Sequence, residues 1–279
     1  MKEKRIKSGL DVCIVAVCYN AESDAEKLIY SIEKAFKKVN NIRLNFVLCD
    51  NSESISNKLV NIKTSFSYSY LKCPNIGYFP GFLAGLNSIN YFGNTFDYTI
   101  VANVDLEMSE DFLVILSSLD LEENVGVIAP QIKSLNSGGD INPKIISRIT
   151  AHRLKALRFI FKHYSFYRIH KSISNIRTSL KQKKSKKEFI KDIYAAHGSF
   201  IVFTRSYFNS GAHVHYPRFL FGEEVFVAEQ ARIHNLRIIH NKDLLIHDRE
   251  HGSTGKQDSR FIANEHVKSY DFLIKNYFK

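Results

Sequence analysis

No run of apolar residues in this 279-residue chain approaches the ~18 that cross a bilayer, so a helical membrane span is not expected. The four cysteines, Cys13, Cys18, Cys49 and Cys73, form no C-x-x-C pair, and three of them lie in apolar, strand-like runs. Reduced core thiols of a cytoplasmic protein are the expectation. The opening MKEKRIKSGLDVCIVAVC sets basic residues before an apolar stretch, but Asp11 interrupts it and Tyr19-Asn20 follow without a small-residue cleavage site. It reads as a first core strand, not a leader. Shares of 44% hydrophobic and 24% charged residues exclude a disorder-dominated chain, and the length suits one large α/β domain with an insertion. Acidic residues are scarce in one place only. Lys144 to Lys191 holds 15 Lys/Arg against the single Glu188, a local +14, while the remainder carries 24 basic and 27 acidic residues, a net of −3. The basicity therefore belongs to a segment, and such a segment seeks anionic lipid, nucleic acid or another polyanion.

What the chain does have is organised around Tyr98–Met108, YTIVANVDLEM. Tyr98 to Ala102 read as a buried strand that runs into Asn103-Val104-Asp105. A buried carboxylate is costly unless a cation or hydrogen bonds compensate it, and strand ends in open α/β sheets are where ligands collect. Asp105 is therefore a candidate ligand of a metal or a metal-bound phosphate; the competing reading is a cap on the following helix, a task Ser109 can also perform. Upstream, DVCIVAVC reads as a strand, Asn20 and Ser23 supply turn and helix-start chemistry, and Ala25, Leu28, Ile32, Ala35, Phe36 and Val39 form one core face of the helix that follows. The next strand, LNFVLCDNSES, ends in Asp50-Asn51-Ser52. Two acid-tipped strands joined by a helix suit parallel pairing and one shared crevice. The loop Pro74 to Asn87 carries Gly77, Gly81 and Gly85 into a helix whose first amides favour phosphate.

In the basic segment, Leu154, Leu157, Ile160, Phe161 and Tyr164 fall on one side of a helix and Lys155, Arg158 and Lys162 on the other. The block Lys181–Lys187 adds charge, and the aromatic residues with charge of one sign favour a membrane surface. Later, Glu223 and Glu224 follow the aromatic patch FLFG and open a helix. His247 and His251 close the last strand, and RFIANEHVKSYDFLIKNYF reads as a closing amphipathic helix.

VAVCYN, LCDNSES, NIGYFPGFLAGLN, ANVD, HGSFIVFTR, FLFGEEVFVAEQAR and LLIHDREHGST occur in an order and spacing that resemble a bacterial family 2 glycosyltransferase of the capsule and O-antigen type, from about Val12 to Gly255. The resemblance implies an α/β GT-A fold: a mostly parallel mixed sheet flanked by helices, with a basic helical insertion. One domain, 1–279, would comprise a nucleotide-sugar-binding half, 1–139, the insertion, 140–192, and an acceptor-side half, 193–279. Tyr19, Asn20, Asp50 and Asn51 would hold the base and ribose of a UDP- or dTDP-sugar, with Asn75, Gly77 and Gly81 beside them. Asp105, with Asn103 alongside and His247 completing the shell, would bind Mg²⁺ or Mn²⁺ at the diphosphate. Glu224 would be the general base of an inverting transfer and Glu223 its support. Asn103 stands where many relatives have Asp, and Glu-Glu where Glu-Asp is common. The implied acceptor is a lipid-linked saccharide met at the inner face of the cytoplasmic membrane, where residues 144–191 would dock on anionic lipid. No nucleic-acid motif is present, so no nucleic-acid partner is expected. The alternative is a polyanion- or membrane-binding, non-catalytic member of the same fold.

Overall fold

The apolar run Leu10–Cys18 forms β1, buried on both faces as a central parallel strand must be. In the computed structural model, which describes residues 9–90, 96–135, 138–169, 192–249 and 258–279, β1 pairs in parallel with β2 (Ile42–Asp50) and β4 (Tyr98–Asn103). The remaining strands are β3 (Ser67–Lys72), β5 (Leu106–Met108), β6 (Val125–Ser134), β7 (Asp192–Ile193), β8 (Phe200–Thr204) and β9 (Arg237–Asp248). They complete a mixed nine-stranded sheet of order β3-β2-β1-β4-β8-β6-β9-β5, with β7 on β9. Parallel pairing holds β3-β2-β1-β4 and β6-β9, whereas β8 runs antiparallel to both β4 and β6.

Helices among the described residues include α1 (Glu22–Phe36), α2 (Asn57–Val60), α3 (Tyr78–Ser88), α4 (Phe112–Ser118), α5 (Ala151–Lys162), α6 (Arg205–Asn209), α7 (Glu223–Ile233) and α8 (Ser259–Tyr277). Side chains alternate across the strands and split the core in two. Val12, Ile14 and Ala16 of β1 join Leu28 and Ile32 of α1 and Phe112 and Leu116 of α4. Cys13 and Val15 face the other way, into Phe79 and Phe82 of α3, Tyr207 of α6 and Phe226 of α7. All four cysteines are buried and free, and burial raises the Cys13 thiol to about 12. None of the helices among the described residues is long and apolar enough to cross a membrane.

Three local expectations are corrected. Ser23 lies inside α1, whose N-cap position is Ala21, and Asn20 makes the turn in the left-handed region at φ 50°. Asp105 caps no helix: the chain turns at Val104-Asp105 and leaves as β5, which pairs antiparallel with β9, while α4 starts at Phe112 with Asp111 at its N-cap. Ser31 of α1 holds that arrangement, its hydroxyl accepting from Met108 N at 3.0 Å. The apolar side of α5 is not open for a membrane. Leu154 and Phe161 are buried, and Phe161 meets the rings of His266 and Tyr270 of α8 at 4.6 and 5.6 Å, with an Arg158–Asp271 ion pair alongside. What stays exposed is a different set, Phe159, Phe166 and Ile169, at 55, 50 and 58%. The block Lys181–Lys187 and His251 lie outside the described residues.

Candidate active site

Register brings the strand ends together. Cys18 lies beside Asp50 and Val17 beside Asn103, so β1, β2 and β4 carry Tyr19-Asn20, Asp50-Asn51 and Asn103 to one edge of the sheet. There the loops are laced to each other. Asn51 N donates to Cys18 O at 2.8 Å, Asn20 N to Ser52 Oγ at 2.8 Å, and Asn51 Nδ2 to Gly77 O at 3.1 Å. Asp50 is almost fully buried and both its oxygens are taken, one by Ser52 N at 2.9 Å and the Ser52 hydroxyl, the other by Tyr70 Oη at 2.6 Å. Its direct task is to shape the loop that presents Asn51, whose amide is likewise buried. Asn75 is exposed on the approach to Gly77.

Gly77 has φ 97°, and a Cβ there would run into the Phe219 carbonyl, which accepts from Tyr78 N at 3.1 Å. Only glycine fits that conformation and that approach. The contact ties the start of α3 to the loop that leads into α7. Gly81, one turn on, packs against Val17 and Asn51.

The Asp105 carboxyl is pushed up to about 6, first by burial and then by the nearby Asp248 carboxylate, with Arg249 acting in the opposite sense. Arg249 N also donates to Asp105 O at 3.2 Å. On β9, His247 stands opposite Glu107 of β5, and its buried Nδ1 has no hydrogen-bond partner among the described residues. A half-buried acid destabilised by a second acid, with a histidine on the neighbouring strand, offers donors that suit a divalent cation. No three His, Cys, Asp or Glu side chains among the described residues converge on one point, so Asp105 and His247 are not part of a closed protein cage there.

Across the crevice, Gly222 in the left-handed region starts α7 and sets Glu223 and Glu224 in its first turn. Glu223 packs on Gly198, where a Cβ would lie 2.8 Å from its Oε1. Burial, and then the Glu224 charge, raise Glu223 to about 8, while Lys144 Nζ lies 3.8 Å from Glu224 Oε1. Tyr78 feels the charge of both acidic centres: its hydroxyl donates to Gly198 O at 2.9 Å, and burial, then the charges of Glu223, Asp105 and Glu224, raise its phenol well above the usual range. The loop between them is kept by His197, whose N donates to Asn142 Oδ1 at 2.7 Å and whose Nδ1 lies 2.9 Å from Ser199 Oγ. Burial and then Lys144 lower His197 to about 3, so it stays neutral.

Tyr78, Lys144, His197 and Asp248 were not among the candidates read from the sequence. Three of them had a signal of sorts, a tyrosine directly after the turn glycine, a histidine before Gly198, an aspartate directly after His247. None stands out until partners from distant segments arrive. Nearby, Glu229 of α7 is fully buried, gripped by Arg148 Nε and Nη2 at 2.8 and 3.0 Å, Tyr194 Oη at 2.7 Å and Arg232 Nε at 3.0 Å.

No protein-family model and no curated protein matches the chain. Solved structures do match over nearly its whole length. Residues 1–349 of S. aureus TarS in complex with UDP-GlcNAc superpose with a TM-score of 0.55 at 12% identity, covering 97% of this chain and 68% of that one. GalNAc-T7 with UDP, GalNAc and Mn²⁺ gives 0.59 at 13% identity, over 96% of this chain and 48% of that one. The chain spans 44% of the longer TarS structure, with a TM-score of 0.51 and 10% identity. The fold is thus the GT-A fold of glycosyltransferases.

Proposed function

We propose that the protein is a metal-dependent, inverting glycosyltransferase that moves a sugar from a nucleotide-sugar to a hydroxyl of a lipid-linked saccharide in surface polysaccharide synthesis of the capsule or O-antigen kind. The observation that carries this reading is that register brings Asn20, Asn51 and Asn103 to the edge where the parallel strands end, where Tyr78 feels the charge of two acidic centres, Asp105 and the Glu223–Glu224 pair. The structural neighbours were seen with UDP, UDP-GlcNAc or Mn²⁺, which makes UDP the first donor nucleotide to test.

In this reading Asn20, Asn51 and Asn103 border the nucleotide, and Asp105 with His247 would hold the cation. A cation bound there would offset the charge that the diphosphate gains on leaving. Burial and the Glu224 charge favour a proton on Glu223, which leaves Glu224, 3.8 Å from Lys144, as the base of the pair. Glu224 then takes the proton of the acceptor hydroxyl as its oxygen bonds to the anomeric carbon and the bond to the diphosphate oxygen breaks. Attack from the face opposite the leaving group inverts the configuration. The exposed Phe159, Phe166 and Ile169, with the basic residues around them, are the surface on which the enzyme would meet the inner face of the cytoplasmic membrane.

Isothermal titration of UDP, dTDP and GDP, each with and without Mn²⁺, on the wild type and on Asp105→Ala tests the core of this reading. The expected outcome is metal-dependent binding of one nucleotide that Asp105→Ala loses. Absence of nucleotide binding under every condition would sink it.

A further inference from the structure

A cavity of about 350 Å³ opens between α8 and the loop that feeds Glu223, lined by Pro217, Arg218, Phe219, Phe261, Glu265 and Lys268. Phe261, Glu265 and Lys268 fall at i, i+4 and i+7, so one stripe of α8 makes its floor. Its lip is fixed from both sides. The Phe219 carbonyl is held by Tyr78 N, the Tyr216 hydroxyl donates to Phe221 O at 2.7 Å and lies 2.8 Å from Ser269 Oγ, and Phe221 stacks on His266 at 3.9 Å. The cavity is therefore preformed, and it borders the backbone that positions the Glu223–Glu224 pair.

The charges in it do not cancel. Glu265, 3% exposed, is matched by Lys268 at 2.6 Å, which leaves Arg218 over. Its guanidinium lies 5.9 Å from the centre of the Phe272 ring, and its Nε is buried with no hydrogen-bond partner among the described residues. A buried charged donor left unpaired is costly, and a ligand that completes it recovers that cost on binding. Phe219 and Phe261, edge to face at 6.0 Å, supply apolar walls of the kind that pack against the C–H face of a sugar ring.

We propose that this cavity is an acceptor subsite for an anionic sugar, one that bears a carboxylate or a phosphate. Arg218 grips the anion in its planar fork, the two phenylalanines take the ring, and the Glu265–Lys268 pair meets its hydroxyls. A neutral sugar has no group that matches the spare guanidinium. The proposal rests on the transferase reading above and adds to it the chemical class of the acceptor.

Because a sugar phosphate could also enter the donor side, the test is run with the protein saturated with UDP and Mn²⁺. Glucuronate, glucose 1-phosphate and methyl glucoside are then titrated calorimetrically into the wild type, Arg218→Gln, Arg218→Lys and Phe261→Ser, each checked by its melting curve. One of the two anionic sugars should bind at least tenfold more tightly than methyl glucoside, and which one does tells carboxylate from phosphate. Arg218→Gln should lose that tenfold, Arg218→Lys should keep part of it, Phe261→Ser should weaken all three sugars, and UDP affinity should not change. Equal binding of methyl glucoside, no binding of either anion, or full anion binding by Arg218→Gln overturns the proposal. Sugar binding that survives while UDP fails to bind overturns the transferase reading and leaves an anionic-sugar site that is no acceptor subsite.

Discussion

Glu223 and Glu224 are adjacent in the chain and unlike in the fold. Glu223 is pressed against Gly198 and raised to about 8, whereas Glu224 faces Lys144 at 3.8 Å. Glu224→Gln is expected to lower kcat by about 10²- to 10⁴-fold with UDP affinity intact, the usual range for loss of a general base, in a steady-state transfer assay. Glu223→Gln copies the protonated form and should cost less. Its signature is in stability. The folded state binds the Glu223 proton more tightly than the unfolded chain, whose value is the ordinary 4.5, so the folded state loses stability as pH rises from there through about 8. Between roughly pH 5 and pH 9 the wild type should therefore lose melting temperature that Glu223→Gln keeps. Parallel melting profiles for the two proteins would count against a proton held on Glu223. The acid pair was legible in the sequence, as two carboxylates after an aromatic patch. Its division of labour was not, because Lys144 and Gly198 come from other segments.

At the scale of elements, the amphipathic pattern of α5 was readable and its cover was not. The apolar stripe that suggested a membrane face packs on α8 through Phe161, His266 and Tyr270, since a chain's own helix can bury such a stripe as well as a lipid can. Phe161→Ala should therefore destabilise the protein by about 3 kcal/mol, the usual cost of emptying a buried phenylalanine site, read from urea denaturation. Phe159→Ser should leave the melting curve unchanged and weaken binding to phosphatidylglycerol vesicles; unaltered vesicle binding would remove Phe159 from the membrane proposal. Likewise, the strand read at Tyr98–Ala102 was legible, while the second strand that follows it, Leu106–Met108, was not. The turn at Val104-Asp105 sends β5 to β9, the contact that sets Asp105 near Asp248.

Over the whole molecule, two ties join segments far apart. Gly77 lets the start of α3 touch the Phe219 carbonyl, and Gly77→Val should lose UDP binding in the same titration, because a branched side chain at φ 97° both strains the backbone and displaces the loop. Glu229 joins Arg148, Tyr194 and Arg232, while Arg148 also reaches Tyr277 O at 3.1 Å. Burial opposes the Glu229 charge, yet the hydrogen bonds from Arg148, Tyr194 and Arg232 outweigh it and hold the carboxyl below its usual range. Its stabilisation is thus present above the ordinary carboxylate value and disappears as pH falls through the lowered one. Glu229→Gln should cost about 3 kcal/mol at neutral pH, the loss expected when one partner of a buried pair is removed, and less in acid; urea midpoints at both pH values check it.

By itself the sequence determined the α/β alternation, the buried parallel strands and the polar residues at their ends, because period, propensity and end chemistry are local properties of the chain. It also displayed Asp105 and the glutamate pair as misplaced charge. Only the tertiary structure decided that Tyr78 feels the charge of both, that Asp248 presses on Asp105, that α8 covers α5, and that Arg218 Nε has no hydrogen-bond partner among the described residues beside an open cavity. Those are facts of pairing between remote segments, and a burial cost or an unpaired donor exists only once the packing that creates it is in place.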